Sequence, residues 1–183
     1  MTDSNMTFIG LVNPKTPTNM GAIMRAAGCY QVANVRYTGE RFGYAVKYHT
    51  DTRDIFGKIP LHNVESLVDG LPPGTKIVCV ELVEGAEPLP AFVHPEQAIY
   101  IFGPEDGSIP QELIDSADHV VYIPTIGCMN LAATVNVLLY DRLAKLPAAQ
   151  DVREHIISNR DINNRLRIKL KADEPHPNHT MHE

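Results

Sequence analysis

The sequence predicts an α/β protein with a mostly parallel β-sheet and flanking helices. Short apolar runs rich in β-branched residues alternate along the chain with stretches of helical periodicity. Several of these runs are apolar at nearly every position, which is typical of strands that are buried on both faces of a parallel sheet. Parallel neighbours require a crossover connection, and the intervening helical stretches supply it.

The apolar runs predict strands at residues 7–12, 33–37, 76–82, 98–102 and 119–123. The helical stretches predict helices at about residues 20–29, 64–68, 110–117 and 131–146. The connection over residues 38–59 has little hydrophobic period, and we therefore expect a long polar loop there.

Composition indicates one globular domain and a tail, because the chain has 183 residues, of which 44% are hydrophobic. We expect the domain to cover residues 1–146 and a C-terminal extension to cover residues 147–183. The extension is basic over residues 151–171. Residues 172–183 combine prolines and histidines without apolar periodicity, so we expect disorder there. A segment without fixed geometry does not predict a metal site, although it contains His176, His179 and His182.

Cysteine content, apolar runs and charge exclude several classes of protein. The three cysteines are odd in number and widely spaced, which predicts neither a disulfide framework nor a zinc site. No apolar run is long enough to cross a membrane and the first residues do not resemble a signal peptide, so we expect a cytoplasmic protein. The formal charge of −6 argues against non-specific coating of nucleic acid. Any contact with nucleic acid should be local.

The first motif, NPKTPTNMGAIMRAAG, leads from a strand into a helix. We expect Asn19 to be the N-cap of that helix. Gly21 and Arg25 are four residues apart and share a helical face, so a ligand can approach the glycine closely beside a guanidinium. A phosphate or a ribose fits this arrangement. A capped helix with a surface arginine is the alternative interpretation.

Two further motifs join the carboxyl end of a predicted strand to a loop, where open parallel sheets bind ligands. In AIYIFGPEDGSIP the strand is followed by residues 103–107, with neither the glycine spacing of a dinucleotide site nor the lysine of a P-loop. In HVVYIPTIGCMNLAATVNVLLYDRL the strand ends at Ile123 and Asn130 begins a helix that contains Tyr140. A tight turn in the first loop and a core tyrosine in the helix remain alternatives.

Together, in this order, the three segments resemble the SpoU/TrmH family of the SPOUT superfamily, which are RNA ribose 2′-O-methyltransferases. The resemblance covers roughly residues 8–146. The family pattern N-x-G-x-x-x-R is met by Asn19, Gly21 and Arg25, and G-x-E is met by Gly103, Pro104 and Glu105. The third pattern, I-P before S-[LM]-N, here ends in Cys128, Met129 and Asn130. The first motif and Tyr140 are similar to the small single-domain branch that modifies tRNA.

The resemblance implies a C-terminal trefoil knot, S-adenosylmethionine as methyl donor, and a homodimer whose active site draws on both subunits. It implies a catalytic set in which Arg25 is the general base or contacts phosphate and ribose, Asn19 and Asn130 orient the reacting groups, Glu105 braces the site and Tyr140 completes the pocket. The implied donor-binding residues are Glu81, Leu82, Gly103, Ile123, Cys128, Met129 and Leu131. It implies no metal and no membrane.

The predicted substrate is RNA, with tRNA favoured over rRNA. Candidate RNA-binding residues in the polar connection are Arg41, Lys47, His49 and Arg53, although a solvated loop explains these charges equally well. Cys128 departs from the serine of the family, and Ser108 stands where a second glycine is common. Three alternatives stay open: a non-catalytic RNA- or S-adenosylmethionine-binding protein of the same fold, an rRNA 2′-O-methyltransferase, and an unrelated doubly wound nucleotide-binding enzyme.

Overall fold

A computed structural model describes residues 6–46, 59–146, 156–158, 160, 163–166 and 168. The chain divides into two compact units, Met1–Leu146 and Pro147–Glu183. In the second unit, residues 156–158 are helical and exposed. The expected disorder of residues 172–183 concerns a segment that lies outside the described residues.

The first unit contains a seven-stranded sheet. Its strands are β1 (Thr7–Leu11), β2 (Asn34–Tyr37), β3 (Leu61–Asn63), β4 (Lys76–Val80), β5 (Glu87–Pro88), β6 (Ala98–Phe102) and β7 (His119–Tyr122). The strand order is β3-β2-β1-β6-β4-β7-β5, and every pair is parallel. The helices are α1 (Pro17–Cys29), α2 (Arg41–Val46), α3 (Gln111–Ser116) and α4 (Leu131–Lys145), with a 3₁₀ helix at Leu89–Ala91. The predicted α/β class with a parallel sheet is confirmed.

The prediction of a helix at residues 64–68 is wrong, because the chain there is irregular with bends and leads into a turn at residues 69–70. Val64, Leu67 and Val68 have helical spacing, but all three pack onto the sheet from an irregular segment. Gly70 has a φ of +68° and ends the segment in a turn. The spacing of these three apolar residues before a glycine turn matched that of one helical turn and so led to the wrong prediction.

The polar connection over residues 38–59 also differs from its prediction as a loop, since it contains α2, and the short strand β3 follows it. Phe42 in α2 is buried and its ring meets Tyr37 edge-on, with 5.3 Å between the ring centroids. One buried aromatic per short element is too weak a pattern to predict a helix from sequence. Strand β5 was missed because its two residues, Glu87 and Pro88, are too few to form an alternating pattern.

The sheet is buried on both faces. Along β6, Tyr100 and Phe102 pack in the cluster that includes residues of α1 and α4, whereas Ile99 and Ile101 pack in the cluster that includes Ile109 and residues of α3. Every residue of β1 and β6 is buried. The nearly continuous apolar runs of the sequence are thus explained by a layer of chain on each face, and each large side chain buried there stabilises the fold by about 1.5–3 kcal/mol.

Arg142 anchors the carboxyl-terminal end of α4 inside the protein. Its side chain is 4% exposed and donates hydrogen bonds to the backbone oxygens of Pro95 and Glu96 and to the hydroxyl of Tyr100, at 3.0 Å for the hydroxyl. Its guanidinium carbon also lies 5.8 Å from the centre of the Tyr100 ring. A buried cation needs such partners, because the free energy of its lost hydration must be offset. The helix is thereby fixed to β6 and to the segment before it.

The same cluster continues from the Tyr100 hydroxyl to a buried histidine. His94 Nδ1 lies 2.7 Å from the Tyr100 hydroxyl and its Nε2 lies 2.9 Å from Asp141. A carboxylate only accepts, so Nε2 carries the proton and Nδ1 accepts from the tyrosine. Burial lowers the pKa of His94 despite the opposing effect of Asp141, and burial raises the pKa of Tyr100 to about 12. Both groups are therefore neutral near pH 7.

The three cysteines are free thiols. Cys79 is fully buried in β4, and burial together with Glu81 raises its pKa to about 12. Cys29 and Cys128 are exposed. Within the described residues, no helix has the length and apolar character needed to span a membrane. The same part of the chain contains no group of His, Cys, Asp and Glu side chains arranged to hold a metal ion.

We predict that Arg142→Met lowers the free energy of unfolding by about 3 kcal/mol, because buried backbone oxygens lose their donor. Tyr100→Phe removes only the hydroxyl and should cost about 1–2 kcal/mol. Urea unfolding followed by circular dichroism measures both. Equal stability of the two variants would show that Arg142 does not anchor α4.

Candidate active site

A cavity of about 530 Å³ opens at the carboxyl ends of the central strands. Its walls come from the loops after β4, β6 and β7 and from the first turns of α1 and α4. Because the strands are parallel, these loops meet at one edge of the sheet. The volume lies in the range of small-molecule and cofactor sites.

The cavity gathers most of the predicted site residues. The predicted donor-binding residues that line it are Glu81, Leu82, Gly103, Ile123, Cys128, Met129 and Leu131. The predicted catalytic residues that line it are Asn19, Glu105 and Asn130. Apart from Glu81 and Leu82, which follow β4, these residues come from three separate motifs, so their meeting at one cavity is a result of the fold. Their roles stay predictions.

Glu105 joins the loop after β6 to the loop before α1. One carboxylate oxygen accepts hydrogen bonds from the backbone and hydroxyl of Thr16, both at 3.0 Å, and from Nδ2 of Asn19 at 3.1 Å. The other accepts from the backbone of Lys15 at 2.8 Å. Partial burial acts to raise the pKa of Glu105, but these hydrogen bonds outweigh it and hold the pKa below its usual value. The charged carboxylate is therefore the stable form that braces both loops.

The prediction of Asn19 as N-cap is wrong. Helix α1 begins at Pro17, and the N-cap residue is Thr16. Proline suits the first helical position because its fixed φ is already helical and it has no N–H to leave unsatisfied. Thr16 makes no side-chain cap, since its hydroxyl donates to Glu105 instead. Asn19 thus lies inside the first turn, where its amide reaches the same carboxylate.

Glu81 connects the loop after β4 to the loop after β6. Its Oε1 accepts from the backbone of Leu82 at 3.1 Å and its Oε2 accepts from the backbone of Ile109 at 3.0 Å. A Cβ atom at position 103 would lie 3.2 Å from both Glu81 Oε2 and the nitrogen of Ile109. Gly103 therefore leaves room for this close approach, and a side chain there would make Glu81 or Ile109 shift by a few tenths of an ångström.

Asn130 begins α4, as predicted. Its Oδ1 accepts a hydrogen bond from the backbone of Ala133 at 2.7 Å and caps the helix. The Thr134 hydroxyl donates to the backbone oxygen of Asn130 at 3.0 Å. The side-chain oxygen of Asn130 is already used in the helix cap. The side-chain nitrogen is therefore the group of Asn130 that is left to contact a ligand, as a hydrogen-bond donor.

Comparison with known proteins agrees with this site. Residues 6–140 match the profile of the SpoU rRNA Methylase family. The chain belongs to the SpoU family. The match includes the three cavity loops, helix α1 and α4 as far as Tyr140, and it confirms the resemblance seen in the motifs. No curated protein sequence is significantly similar to the chain.

Solved structures share the fold of this SpoU protein at low identity. The AdoMet-bound rRNA methyltransferase from Sinorhizobium meliloti has a TM-score of 0.65 and 22% identity, over 79% of this chain and 59% of that chain. The SpoU methyltransferase AviRb from Streptomyces viridochromogenes, in complex with AdoMet, has a TM-score of 0.63 and 17% identity, over 79% of this chain and 59% of that chain. The present chain thus spans under two thirds of both.

A third structure is closer in length to this SpoU chain. It concerns "the 2-OH methylation of C/U34 on tRNA" and has a TM-score of 0.64 and 22% identity. The superposition covers 76% of this chain and 90% of that chain. At such identities the likeness shows a common fold.

Two predicted catalytic residues of this SpoU protein do not line the cavity. Arg25 is exposed on α1, and Tyr140 is 63% exposed on α4. Val137 and Leu143, one turn to either side of Tyr140, are 38% and 56% exposed. Within the described chain, Arg25 and Tyr140 are therefore not brought together with Asn19, Glu105 and Asn130.

Arg41, a predicted RNA-binding residue, forms an ion pair beside the cavity. Its Nη1 and Nη2 each donate to one oxygen of Asp106, both at 2.9 Å, and Lys15 Nζ lies 3.3 Å from the same carboxylate. The hydrogen bond from Arg41 is the main reason that the pKa of Asp106 is lowered, and the same bond raises the pKa of Arg41. The other three candidates, Lys47, His49 and Arg53, lie outside the described residues.

Sequence reasoning missed Lys15, Thr16 and Asp106 as members of the site region. The Thr-Pro pair at residues 16–17 is a signal for a helix start and could have placed Thr16. Nothing in the sequence indicates that Lys15 and Asp106, which are 91 positions apart, lie in contact.

We predict that Glu105→Gln lowers the free energy of unfolding by about 1–3 kcal/mol, because the glutamine NH₂ turns a donor toward N–H groups that need an acceptor. Glu112→Gln, on the exposed first turn of α3, should change it by under about 0.5 kcal/mol. Urea unfolding measures both changes, and hydrogen exchange should speed up at the amides of Lys15 and Thr16 only in Glu105→Gln. Unchanged exchange at those amides would mean that Glu105 is not the brace.

Proposed function

We propose that this protein transfers a methyl group from S-adenosylmethionine to a ribose 2′-hydroxyl of RNA, with tRNA favoured over rRNA. The observation that carries the proposal is the meeting of the three SpoU motifs at one cavity of cofactor size. Two related structures contain AdoMet, and a third, of similar length, concerns tRNA 2-OH methylation. Free thiols suit a reducing compartment, which supports the cytoplasm as the place of action.

The cavity fits S-adenosylmethionine in size and chemistry. Apolar walls at Phe102, Ile123 and Leu131 suit an adenine ring. The carboxylates of Glu81 and Glu105 lie in the cavity lining and favour a cationic sulfonium. Bound there, S-adenosylmethionine supplies an electrophilic methyl group. The remaining donor contacts fall on Leu82, Gly103, Cys128 and Met129.

The residues of the chain supply alignment for a displacement in which oxygen, carbon and sulfur must lie in line. Holding two reactants at attack geometry lowers a barrier by about 7–11 kcal/mol. Asn130 offers a side-chain donor to the ribose, and Glu105 keeps Asn19 and the loop before α1 in place. Rigid backbone bracing is therefore the main contribution of the loops.

Arg25 is assigned to the RNA, where it contacts the phosphate and the ribose oxygen of the target nucleotide. A guanidinium stays protonated near neutral pH, so a role as general base is demanding and a neighbouring phosphate or a dry pocket must assist proton removal. As a cation, Arg25 also stabilises the negative charge that develops on the oxygen.

A second copy of the chain is part of the proposal, because Arg25 and Tyr140 lie outside the cavity. The exposed face of α4 carries Val137, Tyr140 and Leu143, a set of apolar side chains suited to burial in a homodimer. The resemblance implies an active site shared between subunits, and this arrangement would bring Arg25 to the partner's cavity. The strand order, with β6 between β1 and β4, is compatible with the proposed trefoil knot.

Cys128 favours a second candidate function. The family usually has serine there, and a thiol is a weak hydrogen-bond donor. Because Cys128 lines the cavity, it supports a non-catalytic protein of the same fold that binds S-adenosylmethionine or RNA.

We predict that protein incubated with labelled S-adenosylmethionine and unmodified tRNA places the label in a 2′-O-methylated nucleoside. Nucleoside digestion and chromatography identify the product, and an rRNA fraction run in parallel tests the other substrate. A tRNA with a 2′-deoxy nucleotide at the modified position should receive no label, since the attacking hydroxyl is absent. Donor binding without transfer to any RNA would favour the non-catalytic function.

We predict that Arg25→Ala reduces methyl transfer by at least about 100-fold, a size typical of the loss of a group that acts in the transition state. Calorimetric affinity for S-adenosylmethionine should change by under about twofold, because Arg25 is assigned to the RNA and not to the donor. Arg25→Lys keeps the charge but not the planar fork, and should recover only part of the rate. Full activity of Arg25→Ala would remove Arg25 from the mechanism.

A further inference from the structure

Three charged side chains from separate parts of the fold meet beside the cavity. Lys15 lies in the loop before α1, Arg41 is the first residue of α2, and Asp106 follows Glu105 in the loop after β6. The side chains of Lys15, Arg41 and Asp106 are 56%, 32% and 50% exposed. All three are therefore accessible to a large ligand.

The geometry at Asp106 is that of an anion held by two cations. Arg41 directs two parallel N–H groups at the two oxygens of the carboxylate, and Lys15 adds a third donor from its own loop. A guanidinium binds carboxylate and phosphate with the same two-point fork, and an ammonium binds either anion as a point charge. A phosphate can therefore take the place of the Asp106 carboxylate while Lys15 and Arg41 keep their positions.

Replacing the Asp106 carboxylate with an RNA phosphate costs little free energy. Exposed ion pairs contribute little to stability, so their loss is a small obstacle. RNA gains the release of condensed counterions when a cation meets its phosphate, which a carboxylate on the protein does not. The adjacent Glu105 does not compete, because four hydrogen bonds from neutral donors already hold its oxygens.

We propose that Lys15 and Arg41 form one binding site for an RNA backbone phosphate, and that Asp106 occupies this site until RNA displaces it. The inference rests on the proposed function, since it concerns the RNA that enters the same cavity region. Thr16, Asn19, Glu105 and Gly107 line the cavity and are close in sequence to Lys15 or Asp106. The phosphate site therefore lies at the rim where the target strand would pass. Asp106 then acts as an internal competitor that weakens binding to RNA lacking a well-placed phosphate.

The test compares the affinity of the full chain for total tRNA, by fluorescence anisotropy over a series of salt concentrations. Asp106→Asn should bind about fivefold more tightly, the size of an exposed ion pair, because Lys15 and Arg41 lose their competitor. Arg41→Ala should weaken binding and reduce the slope of log affinity against log salt by about 1. The double variant Asp106→Asn/Arg41→Ala should show little of the gain, since the gain requires the arginine.

Asp118→Asn is the matched control for net charge. Asp118 is an exposed carboxylate paired with Lys76 at 2.7 Å, but it precedes β7 and so lies at the opposite edge of the parallel sheet. Its substitution removes the same charge far from the cavity and should leave tRNA affinity within about twofold. An equal gain in Asp118→Asn and Asp106→Asn would attribute the effect to overall charge and overturn the inference.

Donor affinity, measured by calorimetry without RNA, separates the remaining outcomes. The inference requires tighter tRNA binding by Asp106→Asn while affinity for S-adenosylmethionine stays within about twofold. Unchanged or weaker tRNA binding overturns it, as does a gain in affinity for the carboxylate-bearing donor instead of tRNA. Methyl transfer to tRNA without any Asp106 effect would leave the proposed function standing and the inference refuted. Absence of tRNA binding in every variant would refute both the inference and the choice of tRNA as substrate.

Discussion

The hydrogen bonds that converge on Glu105 hold the cavity in shape. They connect the loop after β6 with the loop that begins α1, and those loops belong to the adjacent strands β6 and β1. On the other side of β6, Glu81 makes the equivalent connection from the loop after β4. Two carboxylates thus fasten the loops of three neighbouring strands. The loops would otherwise carry unpaired backbone N–H groups at the mouth of the sheet, which is costly where water is partly excluded.

The sequence predicted the sheet well because burial on both faces leaves a strong local signal. Strands such as β1 and β6 are apolar at every or nearly every position, and the long helices α1 and α4 follow loops rich in proline and glycine. Some short elements were not predicted, because they leave only a weak local signal. Strand β5 and helix α2 depend on contacts that no window of six residues can show.

The cavity residues were predictable through motif resemblance, whereas their partners were not. Asn19, Glu105 and Asn130 each stood in a pattern, but the role of Thr16 in holding Glu105 follows only from the folded loop. The assignment of Asn19 as a cap failed because local rules ignore a carboxylate that arrives from residue 105. Long-range ion pairs such as that of Arg41 with Asp106 are equally invisible to local sequence rules, since neither residue constrains the other until the sheet is built.

Helix α4 has one end at the cavity and the other held by the buried hydrogen bonds of Arg142. Asn130 caps the first end, and Arg142 ties the second to backbone oxygens before β6. A helix rises about 1.5 Å per residue, so these points lie about 18 Å apart along one rigid element. Because α4 is rigid, the contacts of Arg142 at its carboxyl-terminal end help to fix the position of its first turn, which forms part of the cavity wall. Random mutagenesis scored only by activity would therefore count Arg142 among the sensitive positions. A residue next to Arg142 would be a poor site for a label or a fusion, although it lies far from the cavity.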